Sequence, residues 1–367
     1  MRGTRLLVRA ALAVLIGIGI GIGPSARAAD IDPATYFKGK TITLVVDFKP
    51  GGGTDVQARY FAAHFGKFIP GEPRIVVTNL FPIPSGRNYV WSAKPDGLSI
   101  SFLAAADVGT ELIDPTAQFQ SDKFNYIGSH TARDLILYVR NTVPYTSLHD
   151  SKGGKVPISI ALPISRPEDL SGIGLATALL SLWFDAPLKI TPIAQTGSSD
   201  TLLMLERGDI NGWVGGAQWY TLPKLRPGWL KSGYLKPIAD MGNPDTEPHA
   251  NAEISLAIPN AITWLSDDQK KIWRALVISQ VLTGKALATS PNTPPAVVKI
   301  LRDAYVAAFK DADFVAGVEK IQQEPADVIP GDKLQGMVET SLAEFKAELP
   351  QYKALQKQIF ERYVKGL

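Results

Sequence analysis

Gly51-Gly52-Gly53-Thr54-Asp55 places three flexible backbone units and two short polar side chains at the end of an apolar run. The chemistry open to such a turn is anion binding. A helix starting there has unpaired N–H groups and a partial positive charge, so it attracts an anion without a cationic side chain. Glycine also lets the backbone approach a ligand closely and take positive φ. Thr54 or Asp55 is predicted to be the N-cap. Gly197-Ser198-Ser199-Asp200 repeats this arrangement. Two such turns facing each other across a cleft would suit a ligand with one or two carboxylates. Each turn alone is also an ordinary strand–helix connection that binds nothing. Asp55 and Asp200 fit caps better than ligand contacts, because an exposed carboxylate repels an anion. Val56 breaks a G-x-G-x-x-G pattern, and no Gly-Lys-Ser/Thr follows the first turn, so neither nucleotide motif applies.

Other chemistries find less support. His64, His130, His149 and His249 are widely spaced, with no H-x-x-x-H or H-E-x-x-H, so no metal site is expected. Cysteine is absent, which excludes thiolate catalysis and iron–sulfur clusters. There is no G-x-S-x-G nucleophile elbow. No cofactor and no enzyme activity are expected. Trp213, Trp219 and Tyr220 follow the second turn closely. They could stack on an aromatic ligand or serve as packing residues.

The elements that position the turns can be read from periodicity. Thr41–Phe48, Arg74–Asn79 and Leu98–Ala104 are predicted strands, with a helix over Val56–Phe68. This order favours a mostly parallel sheet. Further strands are predicted at Leu135–Val139, Pro157–Leu162, Lys189–Ile193 and Ile210–Val214, with helices at Gly172–Phe184 and Thr201–Arg207. Gly208 fits a C-cap. The segment from Trp219 to Pro259 resists assignment. Ser266 opens a helix predicted to reach Leu282. The remaining third reads as almost wholly helical, and these helices are expected to return over the first sheet.

The N-terminus has the order of a secretory leader: Arg2, Arg5 and Arg9, an apolar run from Ala10 to Gly23, then Ala26-Arg27-Ala28. The run is shorter than the ~20 residues a spanning helix needs. Residues 1–28 are therefore expected to be a cleaved signal peptide, with the mature chain in the periplasm or outside the cell. The whole chain has 38 Lys+Arg against 35 Asp+Glu. The leader takes four arginines and no acid, which leaves 34 against 35. A nearly neutral mature chain gives no electrostatic reason to expect nucleic acid as a partner.

Lys40–Ala63, Val76–Asn79 and Pro95-Asp96-Gly97-Leu98 resemble the opening of the Bug family, the periplasmic receptors of tripartite tricarboxylate transporters. Gly197–Gly212 is similar to the family's second turn and helix, and Ser290–Leu301 to a late A-P-x-G-x-P segment. The resemblance runs in order over about residues 35–350. It implies an α/β, two-lobed periplasmic-binding-protein-like fold, with a ligand cleft between two mixed sheets flanked by helices. It also implies a small organic carboxylate as ligand and membrane transporter subunits as partners of a monomeric receptor. Residues 29–138 with 286–367 would form lobe 1, and 139–285 lobe 2. By position, Gly52, Gly53, Thr54, Asp55, Gly197, Ser198, Ser199 and Asp200 would hold the ligand. Two loops that border the ligand in the family are altered here, to Ile83-Pro84-Ser85-Gly86-Arg87-Asn88 and Pro163-Ile164-Ser165-Arg166-Pro167. Ser85, Gly86, Ser165 and Arg166 join the candidates on that ground. Arg87 or Arg166 could pair with a carboxylate, or be a solvated loop arginine. The alternatives are a sensor that presents ligand to a signalling receptor, and a secreted α/β hydrolase.

Overall fold

The computed structural model describes residues 31–365 except 52, 82, 105–107, 132–134, 163, 165–166, 168–169, 171, 194–197, 216–217, 243, 245–252, 255–256, 279–282 and 323–325. The leader, Gly52, Ser165, Arg166 and Gly197 therefore lie outside the described residues. So do the side chains of Ser198, Ser199, Trp219 and Tyr220.

The first sheet has six strands. Three are parallel: β1 (Thr41–Val46), β2 (Arg74–Asn79) and β3 (Ser99–Leu103). Three pair antiparallel: β4 (Asn125–Thr131), β10 (Lys285–Thr289) and β11 (Asp327–Pro330). The order is β11-β4-β10-β3-β1-β2. The sheet is thus mixed rather than mostly parallel, because two late strands insert into it. Successive side chains of a strand point to opposite faces. Ile42, Leu44 and Val46 accordingly pack under α1 (Gly53–His64) and α8 (Pro295–Ala308), with Phe314 of α9 (Ala312–Gln322). Val45 faces the other way, toward Val90 of α2 (Ser85–Ser92) and Leu334, Val338 and Leu342 of α10 (Gly331–Tyr363); the one-turn α3 (Thr110–Ile113) follows β3.

The second lobe has a three-stranded antiparallel sheet, β8-β5-β9, and a parallel pair. Its strands are β5 (Ile136–Arg140), β8 (Gly212–Gly215) and β9 (Leu235–Asp240), with β6 (Ile158–Leu162) beside β7 (Leu188–Pro192). Leu137 and Val139 face a core with α4 (Gly172–Trp183). Ile136 and Tyr138 face a second core with Leu202 and Leu205 of α5 (Ser198–Arg207). Trp213 is buried in that second core beside Tyr138, ring centroids 5.8 Å apart, so it packs there.

The unassigned segment after Trp219 contains α6 (Gln218–Leu225) and strand β9. Beyond Ser266, whose side chain accepts the Gln269 N–H in a capping box, α7 (Asp267–Trp273) gives way to a π-helical turn at Arg274–Ile278. The last helix serves both lobes. Leu334, Val338 and Leu342 join the first lobe's core. Phe345, Tyr352, Ile359 and Phe360 join the second's.

Candidate functional site

In a parallel sheet all strands end on the same side, and ligands of α/β proteins gather beyond those carboxyl ends. Val46 pairs with Asn79 and Val45 with Ser101, so the segments after β1, β2 and β3 share one edge. The first glycine turn lies at that edge. Gly51 takes φ 85°, and α1 opens at Gly53. Thr54 and Asp55 therefore sit inside the first helical turn rather than at the N-cap.

Asp55 is buried and turned inward. Its Oδ2 accepts the Gly51 N–H at 2.8 Å, reaching back like the return arm of a capping box. Arg59 donates from Nε to Oδ2 at 2.8 Å and from Nη2 to Oδ1 at 3.0 Å. Asn79 donates Nδ2–H to Oδ1 at 2.8 Å and to the Phe48 carbonyl at 2.9 Å. Burial pushes the Asp55 carboxyl up. The bonds from Arg59, the Gly51 N–H and Asn79, with the Arg59 charge, outweigh it and hold the carboxyl below its usual range. One carboxylate thus fixes the turn, the first turn of α1 and the end of β2, and its charge is compensated within the protein.

Thr54, also buried, accepts a hydrogen bond at its Oγ1 from Lys285 Nζ, 3.0 Å away. Lys285 opens β10, and nothing in local sequence joins two residues 231 positions apart. Asn79 did leave a trace, since it closes the Val76–Asn79 strand that carries part of the family resemblance.

Of the altered first loop, Ser85 opens α2 and lines an open groove of about 450 Å³ with Asn79, Leu80, Phe81, Asn88 and Tyr89. Gly86 is buried, and a Cβ there would overlap the Asp47 carboxylate. Its role is close packing of α2 on the end of β1. Arg87 is neither solvated nor presented to the cleft. It is 1% exposed, with Nε 3.4 Å from Oδ2 of Asp47, itself 2% exposed. Burial of both charges is tolerable only because they are paired.

In the second lobe β6 and β7 run parallel, with Leu162 opposite Pro192. The Ile193 N–H donates to the Leu162 carbonyl at 3.0 Å, so the segments after both strands leave from one edge. Helix α5 opens there at Ser198, with Asp200 exposed in its first turn. Gly208, φ 82°, ends α5 as a C-cap glycine. Asn211 explains the motif that follows. Its Oδ1 accepts the Ser159 N–H at 2.7 Å, its N–H donates to Ser159 Oγ at 2.9 Å, and its Nδ2 donates to the Pro157 carbonyl at 2.8 Å. The segment between α5 and β8 is thereby tied to β6. Each lobe thus ends its parallel strands at a helix N-terminus, the arrangement suited to anions. Among the described residues, no group of three His, Asp or Glu is placed to hold a metal.

Solved structures share this fold. A TctC solute-binding protein from Polaromonas is 21% identical, with TM-score 0.59, covering 87% of this chain and 99% of its own. MatC from Rhodopseudomonas palustris, solved with bound malate, is 16% identical at TM-score 0.54, covering 87% of this chain and 100% of its own. An R. palustris protein solved with adipate is 18% identical at TM-score 0.54, covering 86% and 98%. No protein-family model matches the chain, and no curated protein does. The fold is that of the two-lobed periplasmic binding proteins, a mixed α/β architecture.

Proposed function

We propose that the protein is an exported receptor that captures a small organic carboxylate between its lobes and delivers it to a membrane transporter of the tripartite tricarboxylate type. The observation that carries this is the inward turn of Asp55. Bound by Gly51, Arg59 and Asn79, its carboxylate is withdrawn from the mouth of the turn. What remains at the end of β1 is the N-terminus of α1 and Thr54, a surface of donors. The matching helix N-terminus at Ser198 supplies the second half of the clamp. In this arrangement a first lobe built on the six-stranded sheet and a second built on β5–β9, with α10 packed into the cores of both, close on the ligand by hinge motion. Ser85, Ser165 and Arg166 border it, and Gly52, Gly53, Thr54, Gly197, Ser198 and Ser199 contact it. The malate and adipate bound by proteins of the same fold support an acid of that size. These neighbours are binding proteins rather than enzymes, which supports a non-enzymatic role in the periplasm.

A thermal-shift screen of mono- and dicarboxylates, aliphatic and aromatic, tests the proposal on protein stripped of ligand. An acid at 100-fold its Kd adds about 2.7 kcal/mol of stability, a clear rise in midpoint. If no acid moves the midpoint and a neutral sugar does, the ligand class is wrong.

A further inference from the structure

The open groove of about 450 Å³ at the end of β2 holds residues that the clamp does not use. Ser85, Asn88, Tyr89 and Ser92 of α2 form one wall. Their spacing of three and four puts them on one face of the helix, along ~10 Å of its length. The opposite face of α2, with Gly86, Arg87 and Val90, is buried. Phe81, just past β2, and Gln118 complete the groove. Asn88 uses both ends of its amide here. Its Nδ2 donates to the Thr116 carbonyl at 2.9 Å, and its Oδ1 accepts the Gln118 N–H at 2.8 Å. The walls are thereby fixed to each other before anything binds, which lowers the ordering cost of binding.

Phe81 is 39% exposed and Tyr89 47%, two of the five large apolar side chains left exposed among the described residues. Scattered exposed apolar residues are ordinary, but two aromatic rings in one groove rimmed by polar side chains mark a binding surface. With both rings this open, the groove does not enclose a small acid, whose sites bury most of the ligand. It suits a side chain projecting from a larger partner. Lys49 sets the sign of that partner's charge. Its Nζ lies over the Phe81 ring, 5.1 Å from the centroid. It makes no ion pair among the described residues. No acid lines the groove. The acids on the flanking segments are engaged elsewhere. Asp55 is bound by Gly51, Arg59 and Asn79, and Asp47 lies against Arg87. Asp114 accepts the Thr116 N–H and hydroxyl at 2.8 and 2.6 Å. The surface is therefore complementary to a group that is both apolar and negatively charged.

We infer that this groove is the surface on which the membrane transporter docks, and that it takes a transporter segment carrying an aromatic or large apolar side chain beside a carboxylate. The apolar side chain packs against Phe81 and Tyr89, and the carboxylate pairs with Lys49. This rests on the receptor function proposed above and goes beyond it, naming the face presented to the partner. The groove also shares a residue with the first turn. Asn79 lines it and donates to Asp55 Oδ1 at 2.8 Å, so the docking surface and the ligand turn adjoin through one side chain.

The experiment uses the full mature chain in two measurements. One is calorimetric titration with the acid that gives the largest thermal shift. The other is uptake of that acid, labelled, by cells deleted for the receptor and re-supplied with wild type or a variant. Tyr89→Ala and Lys49→Glu are expected to slow uptake ~10-fold, while their affinity for the acid stays within about two-fold of wild type. Lys49→Arg, which keeps the charge, should keep uptake. In the same cells Tyr89→p-benzoylphenylalanine should cross-link to a multi-spanning membrane protein on illumination, identified by mass spectrometry. Lys299→p-benzoylphenylalanine, on α8 across the first sheet, should not. Full uptake by Tyr89→Ala and Lys49→Glu with acid binding intact overturns the inference and leaves the receptor function standing. A cross-link to a second copy of this chain also overturns it. So does a loss of acid affinity as large as the loss of uptake, which would put the groove within the ligand site. If wild type binds no carboxylate or restores no uptake, the receptor function fails and takes this inference with it. Should Tyr89→Ala fail to fold, Lys49→Glu against Lys49→Arg decides: equal uptake in those two overturns it.

Discussion

Asp55 fits an N-cap by sequence, and the structure puts it inside the first turn of α1 instead. Its type and position beside three glycines suggest a cap, and an exposed acid at an anion site would be self-defeating. The structure resolves the tension by sending the carboxylate back to the Gly51 N–H, Arg59 and Asn79. The Asn79 link spans 24 residues, and it could not be derived from spacing within the turn. Arg87 is the opposite case. A loop arginine beside a candidate site reads as solvated or ligand-facing, and only the tertiary approach of Gly86 to Asp47 buries it. His130 is wholly buried, its Nδ1 2.9 Å from the Tyr305 hydroxyl, and burial with the Lys285 charge pushes its pKa down, which gives a pH prediction. Its folded value, about 3, lies below the ~6.5 of an exposed histidine, so the unfolded chain binds the proton first. The contribution is present in full above about pH 6.5 and is lost as pH falls toward 3. His130→Gln, which keeps a partner for Tyr305, should therefore lose about 2–3 kcal/mol less than wild type between about pH 7 and 4.5 in urea unfolding. Parallel pH curves for the two proteins would contradict this.

At the scale of elements, the short apolar strands beside glycine turns were legible because a buried parallel strand and its turn are both local signals. Arg74–Asn79 coincides with its predicted bounds, and Leu188–Pro192 differs by one residue at each end. The failures lie at β10 and β11. Lys285–Thr289 and Asp327–Pro330 are five and four residues long, set among helices, and are strands only because edges of a distant sheet await them. The last helix was expected to cover the first sheet, and its 33 residues do more. At 1.5 Å per residue it is about 50 Å long, enough to lie along both lobes. The Tyr352 hydroxyl and Gln356 Nε2 both donate to the Leu170 carbonyl, at 3.0 and 2.9 Å. Phe345 marks the passage between lobes: a Cβ at Gly109 would lie 2.6 Å from its ring, and the Tyr352 ring is 5.1 Å away. Phe345→Ala should cost about 3–5 kcal/mol and split a single calorimetric transition into two, as the lobes lose their shared strut. A loss below about 1 kcal/mol with one transition preserved would show that the helix does not couple them.

Across the whole molecule, the division into two α/β units was legible because each unit repeats strand, glycine turn and helix. The way the chain passes between them was not, since it depends on β10 entering between β3 and β4. Charge sits at particular points near the first turn: Asp55 is bound by Arg59, Arg87 lies against Asp47, and Lys285 donates to Thr54. The proposed clamp of two helix N-termini would need little more than this to favour an anion. The account is tested most directly by a crystal structure of the mature protein with the acid that gives the largest thermal shift. The account predicts the ligand between the lobes, one carboxylate about 3 Å from the N–H groups of Gly53–Asp55 and the Thr54 hydroxyl, directly or through one water, and its other end facing Ser198–Asp200. An acid seated elsewhere, for instance in the ~490 Å³ groove between Lys299, Arg302 and Asp332 on the first lobe, would contradict it.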